Sequence, residues 1–196
     1  MAHEPFYADE GETPLTVEER QGLRISGITT RGDLNSAERA NIEAGAIWAR
    51  SRRRGDPTAE VFLKRLHKEM FGQVWQWAGE FRRNDKNLGC EWYRVPTEVR
   101  QLVMDVRNWL ALNSYALDEI AARYHHRLVL IHPFPNGNGR HARLAADLLL
   151  ERRGAPAFTW GRGLDLELQL LRGRYIDALR AADAHDYAPL LNFVRT

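Results

Sequence analysis

Residues 131 to 143 read Ile-His-Pro-Phe-Pro-Asn-Gly-Asn-Gly-Arg-His-Ala-Arg, and this run constrains the fold more than any other stretch of the chain. Pro133 and Pro135 cannot donate backbone hydrogen bonds and disfavour helix at the residue before each, so a helix arriving from upstream must stop here. Such a helix is predicted over Leu117 to Ile131, where Leu117, Ile120, Ala121, Tyr124, Leu128 and Ile131 follow the three-and-four spacing of an amphipathic stripe. A second helix is predicted from about Arg140 through Leu144, Leu148 and Leu149. The chain must turn between them. Gly137 and Gly139 lack Cβ atoms, so the backbone can take left-handed geometry and its N–H groups can converge.

That turn has a chemical consequence. The second helix opens its N-terminus onto the loop, where unpaired N–H groups and the positive end of the helix dipole favour phosphate. Arg140 and Arg143, three apart, can both lean toward that end and offer forked donors. Two arginines in a first turn oppose the dipole preference, so they point to an anionic partner. His132 stands just before this site, and its near-neutral pKa suits it to taking a proton from an attacking hydroxyl. Alone, His132 would more simply cap the preceding helix and the glycines would make a turn. Together, the histidine, the glycine-asparagine-glycine turn and the two arginines point to a phosphoryl-type transfer.

The run His132-Pro-Phe-Pro-Asn136-Gly-Asn-Gly-Arg140-His-Ala-Arg143 resembles the signature of the Fic family, His-x-Phe-x-Asp/Glu-Gly-Asn-Gly-Arg-x-x-Arg. The resemblance implies an all-α fold, a Fic-type helical bundle with a short β-hairpin flap, and transfer of AMP from ATP to a Ser, Thr or Tyr hydroxyl of a target protein. It makes His132 the general base and Phe134 the anchor of the nucleotide loop. Gly137, Asn138 and Gly139 would cradle the phosphates, with Arg140 and Arg143 neutralising them. Asn136 departs from the pattern, since the family usually has a carboxylate there to hold Mg²⁺. A neutral amide oxygen should hold Mg²⁺ or Mn²⁺ more weakly. Kinase-like transfer of the terminal phosphate, or nucleotide binding without efficient chemistry in a toxin-antitoxin-like pair, stand as alternatives.

Elsewhere, 196 residues with 44% hydrophobic content suffice for one buried core. A net charge of +2 without a dense basic face gives no expectation of direct nucleic-acid binding. No basic leader or membrane-length apolar run is present, and the single Cys90 fits a reducing compartment, so a cytoplasmic location is expected. Residues 1–33 read as an extended N-terminal arm, and 34–196 as a single helical domain.

Helical periodicity starts at Asn35, with Ile42, Ala46, Ile47 and Ala49 inward, and Asn35 with Glu38 has capping-box spacing. Many Fic proteins carry an inhibitory helix with the pattern Ser/Thr-x-x-x-Glu-Gly/Asn, whose glutamate pairs with the second signature arginine. Here Ser36 and Asn41 match that spacing but Ala40 stands in the glutamate's place, so Glu38 is read as a cap. Arg50 and Arg52 to Arg54 suit a solvated helix end. The next helix, about Ala59 to Phe71, turns Val61, Phe62, Leu66 and Met70 inward, with His67 a satisfied core histidine.

Trp75-Gln-Trp77-Ala-Gly79-Glu-Phe81-Arg82 reads as a packed corner, and a Trp-Ala-Gly-x-Phe-Arg segment precedes the flap in many Fic proteins. Residues 82–96 would be that hairpin, with Asn87, Leu88 and Gly89 its target-docking edge by strand addition. Pro96 opens a helix with Val99, Leu102, Val103, Val106, Trp109 and Leu110 on its apolar face. His125 and His126, adjacent on a helix, point about 100° apart and make a poor metal chelate. A long helix from about Leu164 to Ala182 and a short one over Tyr187 to Phe193 close the chain. The layout is most similar to the group called mobile mystery protein B, which implies a bacterial mobile-element setting and a helix-turn-helix companion protein.

Overall fold

The computed structural model describes residues 22–51 and 55–196. Among them lie seven α-helices: α1 (Arg31–Ser51), α2 (Glu60–Phe71), α3 (Val95–Leu112), α4 (Leu117–Ile131), α5 (Asn138–Arg152), α6 (Leu168–Asp183) and α7 (Ala188–Arg195). The expected all-α architecture is present. The helices pack as neighbours along the chain, α1 on α2, α3 on α4, α4 on α5 and α6 on α7, while α2 and α1 also reach across to α5. The helix that opens at the signature loop thus packs against α4, α2 and α1. Its small residues Ala142, Ala145 and Ala146 are fully buried and let neighbours approach, and Leu148, Leu149 and Leu150 fill the space beyond.

α1 begins one turn earlier than the sequence periodicity predicts. Thr30 Oγ1 accepts from the Asp33 N–H at 3.2 Å, while Asp33 Oδ2 accepts from Thr30 N–H at 3.4 Å, a reciprocal capping box. Asn35 and Glu38 thus lie inside the helix, and Glu38 is not a cap residue. The buried stripe of α1 runs through Leu34, Glu38, Asn41, Ile42 and Ala49. A Cβ added at Gly45 would lie 2.8 Å from the Met70 backbone, so α1 and α2 cross at this glycine. Asn41 fixes the crossing by donating to Glu69 O at 2.8 Å and accepting from Gln73 N–H at 2.9 Å. Ile47, expected inward, is 71% exposed because it lies off that stripe. Val61 is likewise exposed, since α2 turns Phe62, Leu63, Leu66, His67, Met70 and Phe71 to the core.

The flap contains no strand. An isolated bridge joins Leu23 and Trp75, where the described end of the expected arm crosses the tryptophan corner. Cross-strand bonds are replaced by bonds to side chains. Arg82 donates to Asn84 O and Cys90 O, and Asp85 Oδ1 accepts from Trp92 N–H at 2.8 Å. Trp92–Arg94 then forms a 3₁₀ turn leading into α3, whose first turn contains Pro96. The long C-terminal helix also starts later than expected, because Arg162–Leu164 is a 3₁₀ turn and Asp165 is left-handed at φ 45°. Arg50 pairs with Glu151 at 3.1 Å. Arg52 to Arg54 and residues 1–21 lie outside the described residues.

Gly45→Leu should wedge α1 away from α2 and cost about 1–3 kcal/mol, read as a lower urea midpoint at unchanged slope.

Candidate active site

α4 ends at Ile131, and His132 caps it in a left-handed conformation, φ 53° and ψ 60°, with its N–H on Leu128 O at 3.1 Å. The following loop closes on itself through Asn138. Its Oδ1 accepts from Phe134 N–H and its Nδ2 donates to Phe134 O, both at 2.8 Å. The Asn138 amide is thus committed to holding the loop, and what it can offer a phosphate is its backbone N–H. Phe134, grouped above with the nucleotide loop, is fully buried and touches no open surface. Its ring stacks on His67 at 3.8 Å between centroids, and His141 and Phe81 stand at 4.9 and 5.7 Å.

Both histidines against Phe134 are neutral bolts. Gly79 N–H donates to His67 Nδ1 at 3.0 Å, so the ring proton sits on Nε2 and reaches Asn136 O at 3.0 Å. Burial holds the His67 pKa well below the ordinary histidine value, and burial lowers that of His141 to about 4. His141 Nε2 donates to Leu63 O at 3.0 Å. The signature loop is therefore fastened to α2 at two points.

Gly137 is the N-cap of α5 at φ 75°, and a Cβ there would meet the Phe71 ring at 2.4 Å, so only glycine fits. Asn136 Oδ1 accepts from Gly137 N–H at 2.7 Å. The first hydrogen bond of α5 runs from His141 N–H to Gly137 O, which leaves the N–H groups of the preceding turn without intrahelical partners. Beside Gly139 nothing lies within 4 Å of a built Cβ, so the helix opens onto free space there.

His132, at the end of α4, is half-buried. Its Nδ1 donates to Val129 O at 3.2 Å, which fixes the tautomer and leaves the Nε2 lone pair to accept a proton. Burial lowers its pKa, the Arg82 cation lowers it further, and the Val129 bond opposes both.

The two signature arginines do not share an environment. Arg140 pairs with Glu38 at 2.6 Å and lies 5.0 Å over the Phe71 ring. Glu38 is buried, and its other oxygen accepts from Trp75 Nε1 at 2.7 Å. Arg143 is buried one turn along α5, with its guanidinium 6.0 Å from the Tyr175 ring centroid. Tyr175 in turn bonds His125 Nε2 at 2.9 Å, whereas His126 bonds Asp183 and Tyr187, so the adjacent histidines serve separate networks. Asn87, Leu88 and Gly89 are exposed, yet Gly89 also rests against His132.

A metal held by the protein fits these residues poorly. Asn136 offers one neutral oxygen already accepting from Gly137 N–H, and among the described residues no group of three His, Cys, Asp or Glu could hold an ion.

These parts define a class: a helical domain in which one signature loop joins a histidine at the end of α4 to the arginine-bearing N-terminus of α5. Residues 57–150 match the model of the Fic/DOC family, so the chain carries a Fic domain. It is 33% identical over 142 residues to "Protein adenylyltransferase Fic" of Drosophila virilis, covering 69% of this chain and 28% of that protein. A second such relative, from Culex quinquefasciatus, is 32% identical over 136 residues, with 67% and 26% covered. The chain thus spans about a quarter of the length of these relatives. The fold is similar to that of BepC from Bartonella tribocorum, solved with bound AMPPNP, with a TM-score of 0.66 and 19% identity over 100% of this chain and 96% of that one.

Because burial lowers its pKa, His132 is neutral and able to accept a proton at pH 7, and it loses that capacity as pH falls through a midpoint below 6.5. An NMR titration of its imidazole should place the midpoint there, and a value above 6.5 would contradict this account.

Proposed function

We propose that this chain is a protein adenylyltransferase, moving AMP from ATP to a Ser, Thr or Tyr hydroxyl of a target protein. The observation that carries the reading is His132, half-buried and left-handed at the end of α4, with Nδ1 tied to Val129 O so that Nε2 keeps its lone pair, on the loop that leads into the N-terminus of α5. A pure binding module has use for the N-terminus and the arginine, but none for a neutral base of fixed tautomer beside them. Support also comes from the relatives named as adenylyltransferases.

In this reading the target hydroxyl gives its proton to His132 Nε2 as its oxygen attacks the α-phosphorus. The new O–P bond forms as the bond between the α-phosphorus and the bridging oxygen breaks, and pyrophosphate leaves with that electron pair. The α5 N–H groups, Arg140 and Arg143 oppose the charge gathering on the phosphate oxygens, commonly the largest catalytic term. Glu38 occupies Arg140, so full use of that arginine requires the pair to open. The carboxylate comes from two residues before the family's inhibitory position and meets the first signature arginine.

A divalent cation, Mg²⁺ or Mn²⁺, would arrive on the nucleotide's phosphates, with Asn136 as its one side-chain contact. Asn87, Leu88 and Gly89 would dock the target, by backbone contacts made from a loop. The likeness to the mobile mystery protein B group favours a bacterial mobile-element setting, a cytoplasmic location and a helix-turn-helix companion in a toxin-antitoxin-like pair.

Purified protein should transfer α-label from ATP to protein in a bacterial lysate, and His132→Ala should slow this by about 10²–10⁴-fold. Label from the γ-position alone would establish kinase-like transfer. No label from either, with ATP still bound, would reduce the site to a nucleotide-binding module.

A further inference from the structure

Arg82 carries a guanidinium whose side chain is fully buried, yet its nearest carboxylate, Asp85, is solvent-exposed and 3.7 Å away. A buried cation is costly unless dipoles replace its water, and here carbonyl oxygens do so. Nε donates to His132 O at 2.7 Å, and Nη2 donates to Ile131 O at 3.3 Å. These are carbonyls at the C-terminus of α4, lacking helical partners and lying at the negative end of its dipole. The backbone N–H of Arg82 adds Pro133 O at 3.0 Å, so three successive carbonyls around His132 are held from one residue.

The same guanidinium holds the flap. Nη1 donates to Asn84 O at 3.0 Å and Nη2 donates to Cys90 O, which ties the two ends of the loop to one group. Gly89, at φ 106°, is drawn so close that a Cβ would lie 2.7 Å from the His132 Cβ and 2.8 Å from Arg82 Nη2. Cys90 Sγ reaches Ile131 O at 3.6 Å.

We propose that Arg82 is a positioning residue that locks the flap and His132 into a single register, so that a hydroxyl presented by the flap meets Nε2. The forked donors are essential to this role: one cation satisfies four carbonyls from two segments, which the point charge of lysine cannot do. The left-handed backbone of His132, unusual for a residue with a Cβ, is held by the same bonds. The inference rests on the adenylyltransferase reading for its purpose, but not for its physical content.

The test uses the full chain and NMR of its histidine rings and backbone amides in wild type, Arg82→Gln and Arg82→Lys. In both variants, amide exchange over 84–90 should accelerate at least tenfold and the His132 ring should change from one tautomer to a mixture. Losing the cation in Arg82→Gln should also raise the His132 midpoint. His67 and His141, bolted elsewhere, should keep their signals and report an intact core. With α-labelled ATP, both variants should lose transfer while ATP affinity stays within twofold of wild type, with Arg82→Lys the less impaired. If Arg82→Gln fails to fold, Arg82→Lys carries the test alone. A folded variant with unchanged flap exchange and an unchanged His132 tautomer overturns the proposal. A wild type that transfers no label refutes the adenylyltransferase reading instead, while the NMR comparison still decides the role of Arg82.

Discussion

Everything at the site depends on one aromatic ring held where solvent cannot reach it. Phe134 stacks on neutral His67, is edged by neutral His141, and has its own N–H and C=O closed by Asn138. This clamp fixes the distance between the end of α4, which carries the proposed base, and the start of α5, which carries the proposed anion site. Had either histidine kept an ordinary pKa, a cation would compete inside the core at mildly acidic pH. Burial lowers both values, so the two rings stay neutral around Phe134 at neutral pH.

Electrostatically the site is contested. Arg140, proposed to meet phosphate at the head of α5, is held by a buried carboxylate from α1. Glu38 is itself held by Trp75, so α1, the tryptophan corner and the anion site are joined through one carboxylate. Both oxygens of Glu38 are engaged, one by Arg140 and one by Trp75, and removing one partner of such a buried pair strands the other. A nucleotide must therefore offer Arg140 more than Glu38 does.

Much of this was legible in the residues because the signals were local. Proline and glycine punctuation located the end of α4 and the start of α5, and three-and-four spacing located the bundle. The misreadings arose where a long-range contact outweighed a local rule. Asn35 and Glu38 have capping-box spacing, but Thr30 and Asp33 took that role first, and Glu38 found Arg140 a hundred residues away. A signal was available, since Glu38 falls on the same stripe as Leu34 and Ile42. The flap has hairpin-like composition, yet Arg82 captures the carbonyls that a partner strand would have used. Nothing in the spacing of Arg82 and His132, fifty residues apart, announces their bond.

The most direct test of a preformed phosphate site contested by Glu38 is calorimetric titration of ATP into wild type, Glu38→Ala and Arg140→Ala, each verified as folded. Glu38→Ala should bind at least tenfold more tightly, equivalent to about 1.4 kcal/mol, and Arg140→Ala more weakly than wild type. Equal affinities across the three proteins would contradict the account, because neither the arginine nor its carboxylate partner would then touch the nucleotide.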